Sequence, residues 1–200
     1  KSLNFNLRKF YNLYYGWHSW MPYQAKRETE IFKHTRYFFG RTDWDRHLTQ
    51  LMSPDSDYFF CSEALRPAIT AAEKWQYHIQ KKKAVITSTI SSPIYKGADV
   101  ILKTAKLLKD NTHLEFEWNV YGVSEIHMQE RFTGIKCKDV NVYCRGTASA
   151  ELLAKRLLQS DVYMHPSYID NSPNSVCEAQ YIGLPGVAQN VGGVPTLLRG

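Results

Sequence analysis

The absences in this chain of 200 residues narrow its function before any motif is read. No stretch approaches the ~18 apolar residues of a membrane span. No charged-then-apolar leader opens the chain, and a cytoplasmic location is expected. Cysteine is scarce: Cys61, Cys137, Cys144 and Cys177 form no Cys-x-x-Cys pair and sit in otherwise apolar segments. That points to buried reduced thiols rather than disulfides or a zinc site. None of the seven histidines stands in a His-Glu-x-x-His pattern, so no metal site is expected. Neither Gly-x-Gly-x-x-Gly nor a P-loop occurs, the one similar element being inverted as Lys96-Gly97. Ser167 lies near His165 but lacks the nucleophile-elbow context of a Ser/His catalyst. Internal repeats and low-complexity segments are also missing. The chain has no initial Met and ends on a Gly-rich turn, which fits a piece of a longer protein.

What is present is an ordinary globular composition, 44% hydrophobic and 22% charged. The length suits one domain or one and a half, at roughly 100 to 200 residues per domain. The net charge of +6 is uneven: residues 1–82 hold 13 basic and 8 acidic residues, and 83–200 hold 12 and 11. The same first part carries 18 of the 27 aromatics. Basic charge interleaved with aromatics suits nucleic acid or an anionic membrane surface. Here the basic residues are dispersed and matched by Asp-Trp-Asp and Glu-Thr-Glu acids, which favours packed, partly solvated helices. No nucleic-acid partner is expected, and peripheral contact with the inner membrane surface is the remaining surface expectation.

Two regions follow from the hydrophobic pattern. Residues 1–82 open with an aromatic run from Phe10 to Met21 that should pack against further protein. They continue with a helix over Tyr23–Thr35 and a short strand at Tyr37–Phe39. A helix capped by Thr42 or Asp43 comes next, then a strand at Tyr58–Cys61 and an amphipathic helix over Leu65–Gln80. Lysines 81–83 mark the boundary. Beyond it strands and helices alternate: strands over Ala84–Ile90, Leu114–Tyr121, Val140–Tyr143, Val162–His165 and Gly186–Gln189, and helices over Gly97–Lys109, Ser124–Phe132 and Ser149–Gln159. The first of these helices has Val100, Ile101, Ala105 and Leu108 on its inner face. This alternation predicts an α/β fold, a Rossmann-like parallel sheet with helices on both faces. Ligands of such sheets bind at the C-terminal ends of the strands.

The chain is most informative from His165 to Leu198. Ser172 suits an N-cap, Pro173 the first helical position, and Gly183 with Pro185 the helix end. Glu178 leans back over Asn174 and Ser175 toward the helix N-terminus, whose free N–H groups and partial positive charge suit a phosphate. Asp170 precedes the helix, seven residues separating it from Glu178. Two carboxylates beside an anion site make sense as acceptors for sugar or ribose hydroxyls. From spacing alone, a dipole-complementing Asp and a solvated Glu fit equally. Lys96 alone reads more readily as a solvated surface cation than as a phosphate ligand.

Together these elements resemble the C-terminal half of a GT-B retaining glycosyltransferase of family 4, over about Lys83 to Leu198. The resemblance is carried by Asp161–Pro195, DVYMHPSYIDNSPNSVCEAQYIGLPGVAQNVGGVP, and by YKGADVIL at 95–102; GRTDWDR at 40–46 is similar to the end of the preceding domain in some bacterial members. It implies transfer of a hexose from a nucleotide-diphosphate sugar to a saccharide or lipid-linked acceptor with retention, in bacterial polysaccharide biosynthesis. The acceptor would be held mainly by a preceding N-terminal domain, of which residues 1–82 would be the end and the connection. By position, Asp170 and Glu178 take the catalytic roles, Glu178 accepting from ribose and Asp170 from the donor sugar. Lys96, Gly122, Asn171, Ser172, Asn174, Ser175, Gly192 and Gly193 complete the donor site. The nucleotide-diphosphate sugar is a substrate; no cofactor or metal is implied. Residues 1–200 alone would be inactive. Asp170 stands where Glu is usual, Ile90 where an Arg is common, Ser124 where a second Gly occurs and Thr196 where a Glu often follows. Weaker diphosphate binding is expected. Competing readings are an epimerase of similar fold and a non-catalytic binding module.

Overall fold

The computed structural model describes residues 20–77 and 82–199. Most of the aromatic run, residues 10–19, and Lys81 lie outside the described residues. The chain divides into two compact units, one ending at Cys61 and the other beginning at Ser62.

The first unit contains helix α1 (20–34), strand β1 (Tyr37–Gly40), helix α2 (Asp43–Met52) and strand β2 (Asp57–Phe60). β1 and β2 pair in parallel, with Tyr37 opposite Asp57. Of the two expected caps it is Thr42 that starts α2. Its hydroxyl accepts from Asp45 N at 3.2 Å, and the Asp45 carboxylate accepts from Thr42 N at 3.2 Å, closing a reciprocal box.

In the second unit the expected long helix over Leu65–Gln80 shrinks to α3 (Pro67–Thr70). Pro67 pushes Arg66 to extended backbone, ψ 139°. Beyond Thr70, tertiary contacts outcompete helical propensity. Trp75 N donates to Ile182 O at 2.8 Å and its indole to Ser160 O at 2.7 Å, while Ile69 is fully buried. Residues 78–80 of the expected helix lie outside the described residues.

The alternating part forms β3 (Ala84–Thr89), α4 (Ala98–Asn111), β4 (Phe116–Tyr121), α5 (His127–Thr133), a 3₁₀ turn (Cys137–Val140), β5 (Val142–Cys144), α6 (Ala150–Leu158), β6 (Val162–His165), α7 (Asn174–Ile182), β7 (Gly186–Ala188) and α8 (Val194–Leu197). All five strands are parallel, in the order β5-β4-β3-β6-β7. The predicted α/β sheet is present. Val140 ends the 3₁₀ turn instead of starting a strand, because Asn141 takes the left-handed conformation, φ 57°. One apolar layer joins Ile86, Phe116, Trp118, Val120 and Val142 to Ala98, Ile101, Leu102 and Ala105 of α4. Leu102 rather than Val100 completes the buried face of α4. The other layer joins Tyr121 and Tyr163 to Ile69, Leu157, Val176, Ala179 and Ile182. Strand order reverses about β3, which is followed in sequence by β4 on one side and paired with β6 on the other. Such a reversal opens a crevice at the strands' C-terminal edge.

The cysteines form no disulfide among the described residues, with Cys61 exposed and Cys137, Cys144 and Cys177 partly buried, so full burial of the thiols is not observed. No helix among the described residues is long and apolar enough to cross a membrane.

Candidate donor-binding site

A cleft of about 580 Å³ opens at this edge, within the range of small-ligand sites. Lys96, Gly122, Asp170, Ser172, Asn174, Ser175 and Glu178 line it, so seven of the sequence-derived residues meet in one place. Asn171, Gly192 and Gly193 are not on its wall.

Two of those outliers act on the backbone. Gly193 N donates to Asp170 O at 3.0 Å, and a Cβ on Gly192 would stand 2.1 Å from that same oxygen. Gly192 also has φ +53°, where L side chains are strained. The Gly-Gly loop therefore clasps the chain at Asp170. Gly122 serves similarly: a Cβ there would meet Ile90 O at 2.1 Å, with φ +98°. It lets the loops after β3 and β4 close on each other.

α7 begins one residue later than the sequence indicates. Pro173 takes the N-cap position, with φ −71° and ψ 110°, and makes no side-chain cap. Val176 N donates to Pro173 O at 3.0 Å and starts the helix. The Ser172 hydroxyl, freed from capping, is buried in the cleft wall with no hydrogen-bond partner among the described residues. Ser175 is engaged by the buried Tyr163 hydroxyl, which also meets Thr89 Oγ1 at 2.8 Å. Burial pushes the Tyr163 phenol up, keeping it neutral as a tether between β6 and α7.

The two carboxylates differ in their surroundings. Asp170 gathers three donors on Oδ2: an ion pair with Lys96, His165 Nε2 at 3.1 Å and Ser167 Oγ at 3.3 Å. Burial raises its pKa, but the hydrogen bonds from His165 and Lys96 and the Lys96 charge outweigh that, leaving it below the usual value. Because an ionised carboxylate only accepts, His165 Nε2 carries the proton. His165 is 2% exposed, and its Nδ1, in the same wall, has no partner among the described residues. Glu178 is held by Arg66, whose Nε donates to Oε1 at 2.6 Å and whose Nη2 donates to Oε2 at 2.7 Å. Lys96, read in isolation as a surface cation, is mostly buried beside Asp170. Among the described residues no group of three His, Cys, Asp or Glu is placed to hold a metal.

Sequence reasoning missed Arg66 and the place of His165 on the cleft wall. Arg66 lies 112 positions before Glu178, and no local pattern joins them. His165 had a signal, a polar side chain ending an apolar strand at the binding edge, but was weighed only as a base for Ser167.

Residues 81–200, more than half of the chain, match the family described as Glycosyl transferases group 1. The chain belongs to this family. Three solved structures show how far the likeness of the glycosyltransferase chain extends. WaaG, a glycosyltransferase involved in lipopolysaccharide biosynthesis, superposes with a TM-score of 0.61 at 15% identity, over 78% of this chain and 44% of its own. Sucrose-phosphate synthase from Thermosynechococcus elongatus gives 0.63 at 16%, over 84% and 44%. Anabaena Alr3699/HepE in complex with UDP and glucose gives 0.57 at 16%, over 85% and 48%. The chain thus spans less than half the length of each. At these identities the likeness is one of fold, the GT-B glycosyltransferase fold with its parallel sheet flanked by helices. No curated protein sequence is a significant match.

Proposed function

We propose that this chain is the donor-binding part of a retaining glycosyltransferase of family 4, which moves a hexose from a nucleotide-diphosphate sugar to a saccharide or lipid-linked acceptor in polysaccharide biosynthesis. The observation that carries the reading is the meeting of Lys96, Asp170, Glu178 and the N-terminus of α7 in one cleft at the sheet's C-terminal edge. Residues 83–200 form the donor domain in this reading, and 1–82 the end of a preceding domain with its connection. A cytoplasmic enzyme in peripheral contact with the membrane surface fits a lipid-linked acceptor.

The diphosphate lies over the start of α7, where the helix dipole and first-turn N–H groups favour an anion. Lys96 supplies a cation there, its charge now balanced by Asp170. Asp170 keeps its Oδ2 donors and offers Oδ1, which has no hydrogen-bond partner among the described residues, to hydroxyls of the donor sugar. Ser172 Oγ and His165 Nδ1, both buried without partners among the described residues, provide further polar contacts in the same wall. Glu178 accepts from the ribose. As the glycosidic bond breaks, charge grows on the leaving diphosphate, and Lys96 with the α7 N-terminus stabilises it in place. No resident cofactor is invoked. The absence of a cation at Ile90 should be felt as modest diphosphate affinity.

Calorimetric titration with UDP, GDP, ADP and their hexose conjugates tests this. Saturable binding of one nucleotide series is expected, and Glu178→Ala should weaken it about tenfold or more, the value of one hydrogen bond to a charged group. Indifference to every nucleotide would end the reading.

A further inference from the structure

Glu178 is an uncommon carboxylate: its side chain is 3% exposed, yet it lines an open cleft. A buried charge persists only when it is paired and hydrogen-bonded. Arg66 meets that need with two short bonds, one to each oxygen. A parallel fork of this kind sets the plane of the carboxylate as well as its charge, which an ammonium cannot do. An ionised carboxylate has about four lone-pair positions. The fork takes one on each oxygen and leaves one on each.

Arg66 is itself built in. It is 43% exposed and lines the same cleft, but its backbone belongs to a segment stapled to the sheet unit. Pro67 fixes the chain direction after it, Ile69 is fully buried three residues on, and Trp75 is bonded to both Ser160 and Ile182. The guanidinium therefore reaches Glu178 from a fixed base rather than from a loose surface stem.

We propose that Arg66 is a positioning residue for nucleotide recognition: its fork fixes the Glu178 carboxylate so that an oxygen facing the cleft accepts a ribose hydroxyl of a nucleoside diphosphate. The inference rests on the donor reading of the cleft. It adds that discrimination for ribose is set by a residue outside the alternating strands and helices, on the segment leading into them.

The test titrates the full chain with UDP, GDP and ADP and with their 2′,3′-dideoxy counterparts. For the nucleotide that binds, the wild type should prefer the ribose form by about tenfold or more. Arg66→Ala and Glu178→Gln should each bring that ratio close to one, whatever they do to the affinity for the dideoxy form. Arg66→Lys retains a cation and most of the stem, so it guards against a folding failure, and it should still lose most of the preference. Thermal melts by circular dichroism check that each variant is folded. An unchanged ratio in folded Arg66→Lys and Arg66→Ala overturns the assignment alone. Tighter ribonucleotide binding in either variant also overturns it, because the guanidinium would then be a competitor of ribose. Failure of the wild type to bind any nucleotide overturns the donor reading and this assignment with it.

Discussion

Asp170 and His165 illustrate the residue scale. The imidazole donates a hydrogen bond from its Nε2–H to the carboxylate from a site with almost no solvent access, and the carboxylate is held ionised in return. Replacing His165 with Phe keeps the apolar volume but removes that donor. We expect unfolding free energy, measured by urea denaturation, to fall by about 1.5–3 kcal/mol, the range for a hydrogen bond to a charged group. No loss would mean that Lys96 and Ser167 suffice. The places of Asp170 and Lys96 on loops at strand ends were legible in the sequence from local periodicity, whereas roles for them were implied only by the family resemblance. Their pairing was not, since it joins loops 74 positions apart. The shorter Asp is compatible with this pocket: three donors converge on one of its oxygens.

At the scale of elements, the loop before α8 and the start of α7 are coupled through the backbone of Asp170. Gly192→Ala places a methyl against Asp170 O in a left-handed conformation. It should destabilise the unit by about 1–2 kcal/mol from the conformation alone, with the displaced oxygen adding to that. Chemical denaturation reads this, and an unchanged midpoint would show that the loop yields without cost. The shift of the α7 cap from Ser172 to Pro173 changes what the serine does: a capping serine would cover a backbone N–H, whereas here its hydroxyl is buried in the cleft wall with no partner among the described residues. The helix expected over Leu65–Gln80 failed for a different reason. Its apolar spacing was real, but Ile69 and Trp75 satisfy it by docking on α6 and α7, with Trp75 bonding backbone oxygens that a continued helix would not reach.

For the whole molecule, several carboxylates are held below their usual range, which determines how stability depends on pH. Glu130 is lowered by the Cys137 backbone N–H at 2.8 Å, and Glu117 by Lys83 at 2.8 Å. Asp170 is lowered by His165 and Lys96 against its burial. A carboxyl with a lower pKa in the folded state stabilises fully above its unfolded value, about 4, and loses that contribution as pH falls through the folded value. Thermal midpoints should therefore be nearly flat from pH 7 to pH 5 and drop steeply below about pH 4. Glu130→Gln should flatten part of that drop, and an acid limb identical to wild type would count against Glu130. What the sequence determined by itself was the parallel α/β sheet, the C-terminal edge of its strands and the residues adjacent to it. Strand and helix periods, caps and glycines are local properties, read within a window of a dozen residues. Tertiary structure alone decided which charges meet: Lys96 with Asp170, Arg66 with Glu178, and His165 turned toward a carboxylate instead of a serine. Ion pairs form between side chains that the sheet brings together from distant positions, and the energy that selects them arises only once burial has removed the water.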